Sequence, residues 1–207
     1  MSFIKVFRSK LSDPLFTFKL LERFIATFCI LIPLILWLTD GIFPHSFRPS
    51  ISQYVEMKNS YVFGMLLSIA AMLFIFNGAV YFKNERFMHI STHGQWFNVI
   101  LGLSLFGVIC FPCDIDKYKT LHFTFAGVFF LGNAVVTALF HKDKDKVLSI
   151  VLAILTIASL PFALFGVISL LVGEWISLTV ISIHFILSTI NMDQPVNRSN
   201  PKTLLQR

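Results

Sequence analysis

Histidines and carboxylates are scarce in this chain, and several stand where apolar neighbours make them expensive. His184 falls near the middle of a long apolar run, a setting in which an imidazole is costly unless it is paired or used. On a helix, Glu174, Ser177, His184, Ser188 and Asn191 share a sector of about 100°. Such a stripe must face other helices or water. His122, Asn133 and Thr137 share a shorter face with Ala126 in an earlier run, and Ser104, Asn77 and Ser68 are positioned to meet these stripes. Hydrogen bonds that merely hold a bundle together would contribute about 0.6 kcal/mol per contact. A second group gathers between the runs: Asp114, Asp116 and His122 in one loop, Glu174 at the head of the last run, and Asp40, His45, Ser50, Ser52 and Glu56 in the first loop. Carboxylates and histidines at one membrane face suit a metal site or an acid–base pair beside a lipid headgroup. The D-x-D-x5-H spacing of Asp114, Asp116 and His122 is no ligand signature, and neither H-x3-H nor H-E-x-x-H occurs. His89, His93 and His141 read as loop residues.

Cys110 and Cys113 form a C-F-P-C motif that oxidising surroundings would pair as a disulfide. Thiol–disulfide exchange would need a second pair, and the chain has only three cysteines, with Cys29 in an apolar run.

These residues are carried by six apolar stretches, each suited to cross a hydrocarbon core of about 30 Å as a helix. They cover about residues 24–39, 61–82, 96–111, 122–140, 147–173 and 175–192. Pro112 ends the third, Pro161 should kink the fifth, and Gly173–Glu174 is the only break between the last two. The expected fold is therefore all-α, a compact bundle of six transmembrane helices over residues 21–192. A basic segment (1–20) precedes it and a polar tail (193–207) follows. Of 17 Lys and Arg, 13 fall on the side shared by both termini and four (Arg48, Lys58, Lys117, Lys119) on the other. The positive-inside rule places both termini in the cytoplasm. Met1–Lys19 reads as flanking charge, with a basic amphipathic stretch as the alternative, and no A-x-A-like cleavage site follows the first run. With 207 residues, 56% apolar and only 14% charged, the chain cannot clothe a water-soluble domain, which excludes a soluble enzyme, a nucleic-acid-binding module and a disordered tail.

The stretch P-S-I-S-Q-Y-V-E-M-K-N-S-Y-V-F-G-M-L-L-S-I-A-A-M-L (Pro49–Leu73) resembles the Frag/DRAM/Sfk family of six-span membrane proteins, as do G-V-I-C-F-P-C-D…L-H-F-T-F-A-G-V-F-F (Gly107–Phe130) and the Glu174–Trp175 pair. The likeness runs in order from about residue 20 to 190. It departs from the eukaryotic members at the second position after His122 and in a shorter outer loop. The chain is closer in character to small bacterial six-span proteins, which places it in a bacterial inner (cytoplasmic) membrane. The resemblance implies Pro49, Ser50, Ile51, Ser52, Gly64, Phe111, His122, Glu174 and Trp175 as the matching positions. It also implies roles in autophagy modulation, in organising a lipid kinase or in remodelling lipid-anchored proteins, with no common reaction.

The reading favoured by the sequence is a protein without chemistry of its own. It would bind membrane lipids or a protein partner through a polar pocket of Ser50, Ser52, His122, Asn133, Glu174, Ser177 and His184, at the outer ends of spans two, four and six. No metal, cofactor or nucleic acid is expected. The alternative is a membrane-embedded lipid hydrolase or transferase with a metal or acid–base site at Asp116, His122, Glu174 and His184. A small transporter or proton-coupled channel using the His184 stripe is the third reading.

Overall fold

The structure, a computed structural model, describes residues 14–41, 46–83, 96–140 and 146–191. His45, Arg86, His89, His93, His141 and the polar tail lie outside the described residues, as do the first 13 residues of the basic segment. Six helices make up the described chain: α1 (Pro14–Thr39), α2 (Ser60–Lys83), α3 (Phe97–Cys110), α4 (Asp116–Phe140), α5 (Lys146–Leu164) and α6 (Leu170–Asn191). A short 3₁₀ turn, Ser52–Glu56, lies between α1 and α2. No strand occurs among the described residues. Five helices are long and apolar enough to cross a membrane, and α3 is shorter at 14 residues. Their outward faces are apolar too, carrying exposed Leu34, Leu38, Met65, Ile69, Phe76, Leu131 and Ile154. Helices that are apolar on every side belong in lipid, and this is a helical membrane protein.

Each helix packs against the next in the chain, and α1 closes the ring against α6. We call the end where α1 finishes and α2 begins the upper end. α5 also leans on α4 and α6, which touch each other behind it. It buries only a narrow stripe (Ser149, Leu152, Ala153, Thr156, Ser159) and is the peripheral member. α2 and α3 approach closely at Gly102, where a Cβ would stand 2.6 Å from the carbonyl oxygen of Ala71.

Three helix limits differ from those expected. α1 and α4 begin before Phe24 and His122, because the charged residues that end an apolar run do not end a helix. Asp116 sits in the first turn of α4, where a carboxylate suits the positive end of the helix dipole. The break between the last two helices is not at Gly173–Glu174 but at residues 165–169. Gly166 adopts φ 73°, the left-handed conformation that ends helices and favours glycine. Ser169 then caps α6, its Oγ accepting the N–H of Val172 at 3.3 Å. Val167 and Ile168 keep this turn apolar, which hid it within a continuous hydrophobic run. Gly173 instead lies inside α6, close against Ala163 and Ser159 of α5.

Candidate functional site

Residues 49–52 cross over the start of α6. The N–H of Leu171, one of the first-turn donors that a helix cannot satisfy itself, donates to the carbonyl of Pro49 at 2.7 Å. One turn further, Glu174 Oε2 accepts the N–H of Ile51 at 2.6 Å. Beside it the N–H of Gln53 donates to Ser50 Oγ at 3.3 Å, and the Ser50 and Ser52 hydroxyls are 3.1 Å apart. Phe47 stacks on Trp37 of α1 (centroids 4.7 Å apart) and tilts against Trp175 of α6 at 6.2 Å, which ties the loop to both helices. On its outer side Arg48 grips Asp40 with two bonds, of 2.7 and 2.8 Å, reaches Glu56 at 3.4 Å and lies over the Tyr54 ring. The bonds it donates to Asp40 hold the guanidinium above its ordinary pKa. Asp40 and Glu56, candidate site residues in the sequence, are thus the partners of Arg48.

His122 enters from the second turn of α4. Its Nδ1–H donates to the carbonyl of Phe111, 2.8 Å away just beyond α3, so the neutral ring carries its lone pair on Nε2. Ser52, His122 and Glu174 are all buried and line one cavity of about 50 Å³, which has room for more than a single water molecule. Its walls are otherwise apolar, drawn from α1 (Cys29, Ile32), α2 (Phe63, Leu67, Ala70, Phe74), α3, α4 and α6. Phe74, the deepest lining residue along α2, meets Phe129 of α4 edge to face at 5.4 Å and Phe185 at 5.6 Å. His184 does not line the cavity and is buried beside Phe185, their ring centroids 5.3 Å apart.

Of the residues singled out in the sequence, Ser52, His122 and Glu174 line this cavity, and Ser50 lies beside it against Ser52. Asn133, Ser177 and His184 are buried but do not line the cavity. Asn133 donates to the carbonyl of Phe129, and Ser177 to that of Gly173, each in its own helix. Asp116 is exposed, and among the described residues no three His, Cys, Asp or Glu side chains converge as metal ligands. The metal constellation of Asp116, His122, Glu174 and His184 is not assembled. Cys110 and Cys113 are both free thiols, Cys110 exposed, so the C-F-P-C pair is not a disulfide in this structure. Burial pushes the Cys113 thiol up from the ordinary value.

Two features escaped the sequence. The Ile51 N–H cannot be read from a side-chain pattern at all. Glu22, completely buried on α1, takes hydrogen bonds from Ser188 (3.2 Å) and Thr189 (3.4 Å) of α6. A signal for it existed: Phe18, Glu22, Ile25, Cys29, Ile32 and Leu36, all buried, alternate by four and three along α1, which marks the face turned to other helices.

The fold and site define a helical membrane protein with a largely apolar cavity that is polar at one end. The chain belongs to a family of unknown function (DUF7103), whose profile matches residues 31–189. That stretch takes in every cavity-lining residue except Cys29. No curated protein and no solved structure matches the chain.

Proposed function

We propose that this protein is a six-span membrane protein that binds a membrane lipid in the cavity beneath residues 49–52. Both termini would be cytoplasmic and the cavity's polar end would lie at the outer leaflet, in a bacterial inner membrane. The observation that carries the reading is the composition of the cavity: apolar walls from five helices, with Ser52, His122 and Glu174 at the upper end. At about 50 Å³ the cavity has room for a small hydrogen-bonding part of a headgroup, and the acyl chains would lie along the exposed apolar faces of the helices outside it. Kinship with Frag/DRAM/Sfk-like proteins belongs to the same proposal. It is supported by the way the positions of that resemblance gather: Pro49 bonds Leu171, Ile51 bonds Glu174, and Phe111 bonds His122.

The test is lipid extraction from purified protein followed by mass spectrometry. Wild-type protein should retain a lipid through purification. Ala126→Phe, which places a ring in the cavity wall, should lose most of it while keeping a cooperative thermal transition. Equal recovery from a folded Ala126→Phe variant would refute the proposal.

A further inference from the structure

The outer face of the bundle carries a hollow of a different kind. An apolar groove of about 320 Å³ runs between α5 and α6, and none of its lining residues lines the cavity. Its floor is the buried pair Leu152 and Val180, and its rims are the exposed Leu155, Val172 and Thr179. Thr179 supplies its one hydroxyl, which is spent on the carbonyl of Trp175 at 2.8 Å. Apart from the Trp175 indole, the groove therefore presents hydrocarbon alone. Along α6 the lining runs from Val172, near the upper end, to Ile183, a rise of about 16 Å at about 1.5 Å per residue. α6 continues to Asn191, so the groove stops near mid-helix.

Going beyond the lipid reading of the cavity and not resting on it, we infer that this groove seats one acyl chain of a lipid from the leaflet at the upper end. Its length identifies the occupant. One leaflet contributes about 15 Å to a hydrocarbon core of about 30 Å, the depth that a single tail fills from headgroup to midplane. A transmembrane helix of a second copy would cross both leaflets and would need a seat continuing past Ile183 to the lower end of α6. Exposed Ile154 and Ile186 continue the lipid-facing surface beyond the groove, so bilayer hydrocarbon is the medium that reaches it. Left empty, the groove forfeits the dispersion contacts of its floor, and a tail lying in it supplies them. Trp175 stands in its upper part, tilted against Phe47, and tryptophan belongs at headgroup level. The ester end of the tail is thus set beside Trp175 and the methyl end near Ile183.

Phosphatidylcholine with a photoreactive diazirine in one acyl chain, built into nanodiscs with the purified protein, tests this. After irradiation, peptide mass spectrometry should find adducts on Leu152, Leu155, Ile176 and Ile183 about fourfold or more above the exposed α4 positions Leu131 and Val135, the preference that burying one further methylene gives. A diazirine near the ester should label toward Trp175, and one near the chain end toward Ile183. Thr179→Trp puts an indole into the groove from its exposed rim and should bring labelling there down to the α4 level. Val135→Trp, on a lipid-facing position of α4, should leave groove labelling unchanged. Even labelling of all exposed faces, an inverted depth order, or full groove labelling in a folded Thr179→Trp variant would overturn the inference. So would a groove shielded from the lipid probe in protein that cross-links as a dimer, since a second copy would then be the occupant. Each of these results leaves the reading of the cavity standing.

Discussion

Glu22 and Glu174 are both buried carboxylates, yet their roles differ with their surroundings. Glu174 opens onto the cavity and pins the crossing segment through Ile51. Glu22 holds α1 to α6 through two hydroxyls. Removing it takes the acceptor from Ser188, while the Thr189 hydroxyl keeps its 2.8 Å bond to the carbonyl of Phe185, and a lost hydrogen-bond partner costs roughly 1–3 kcal/mol. Glu22→Ala should therefore lower the melting temperature in detergent, and Glu22→Gln, which keeps an acceptor, should recover most of the loss. An unchanged transition in Glu22→Ala would show that the contact does not hold the helices. His122 and Glu174 were legible because each stood out at the head of an apolar run. Glu22 was not, because it precedes such a run and resembles an ordinary flanking charge. Its a/d spacing with Ile25 and Cys29 distinguishes it only once the helix is known to reach past Phe24.

At the scale of elements, hydropathy located all six helices, since apolar length is what a membrane demands of a helix. It misplaced the α5–α6 turn because Gly166 ends α5 by backbone conformation, not by polarity. Nor does hydropathy show where helices touch. At Gly102 a Cβ would also lie 2.7 Å from Ile75 Cγ1, so α2 and α3 meet backbone to backbone. Gly102→Val should wedge them apart at a cost of about 1–3 kcal/mol, seen as a lower melting temperature. Gly64→Ala is the control: its Cβ would meet nothing within 4 Å, and its transition should stay in place or rise slightly. Equal effects at the two positions would contradict the close packing of α2 on α3.

For the whole molecule, the charge asymmetry of the loops carries the proposal that the upper end faces outward. Cys110, exposed at that end, reports on it. In a variant whose other two cysteines are replaced by alanine, a membrane-impermeant maleimide should label Cys110 on intact cells. Labelling that requires permeabilised cells would invert the orientation. Which helices border the cavity was not legible in the sequence. Apolar walls from five helices look like any other buried faces, and only the closed ring sets them around one space.

That closure also bears on how the protein is made. The contacts from Glu22 to Ser188 and Thr189 join residues 166 and 167 positions apart. α1 is synthesised and inserted long before its partner, and a carboxylate in the hydrocarbon is costly without donors. Until α6 arrives the bonds from Ser188 and Thr189 cannot form, so the ring closes on α1 only when the last helix is in place.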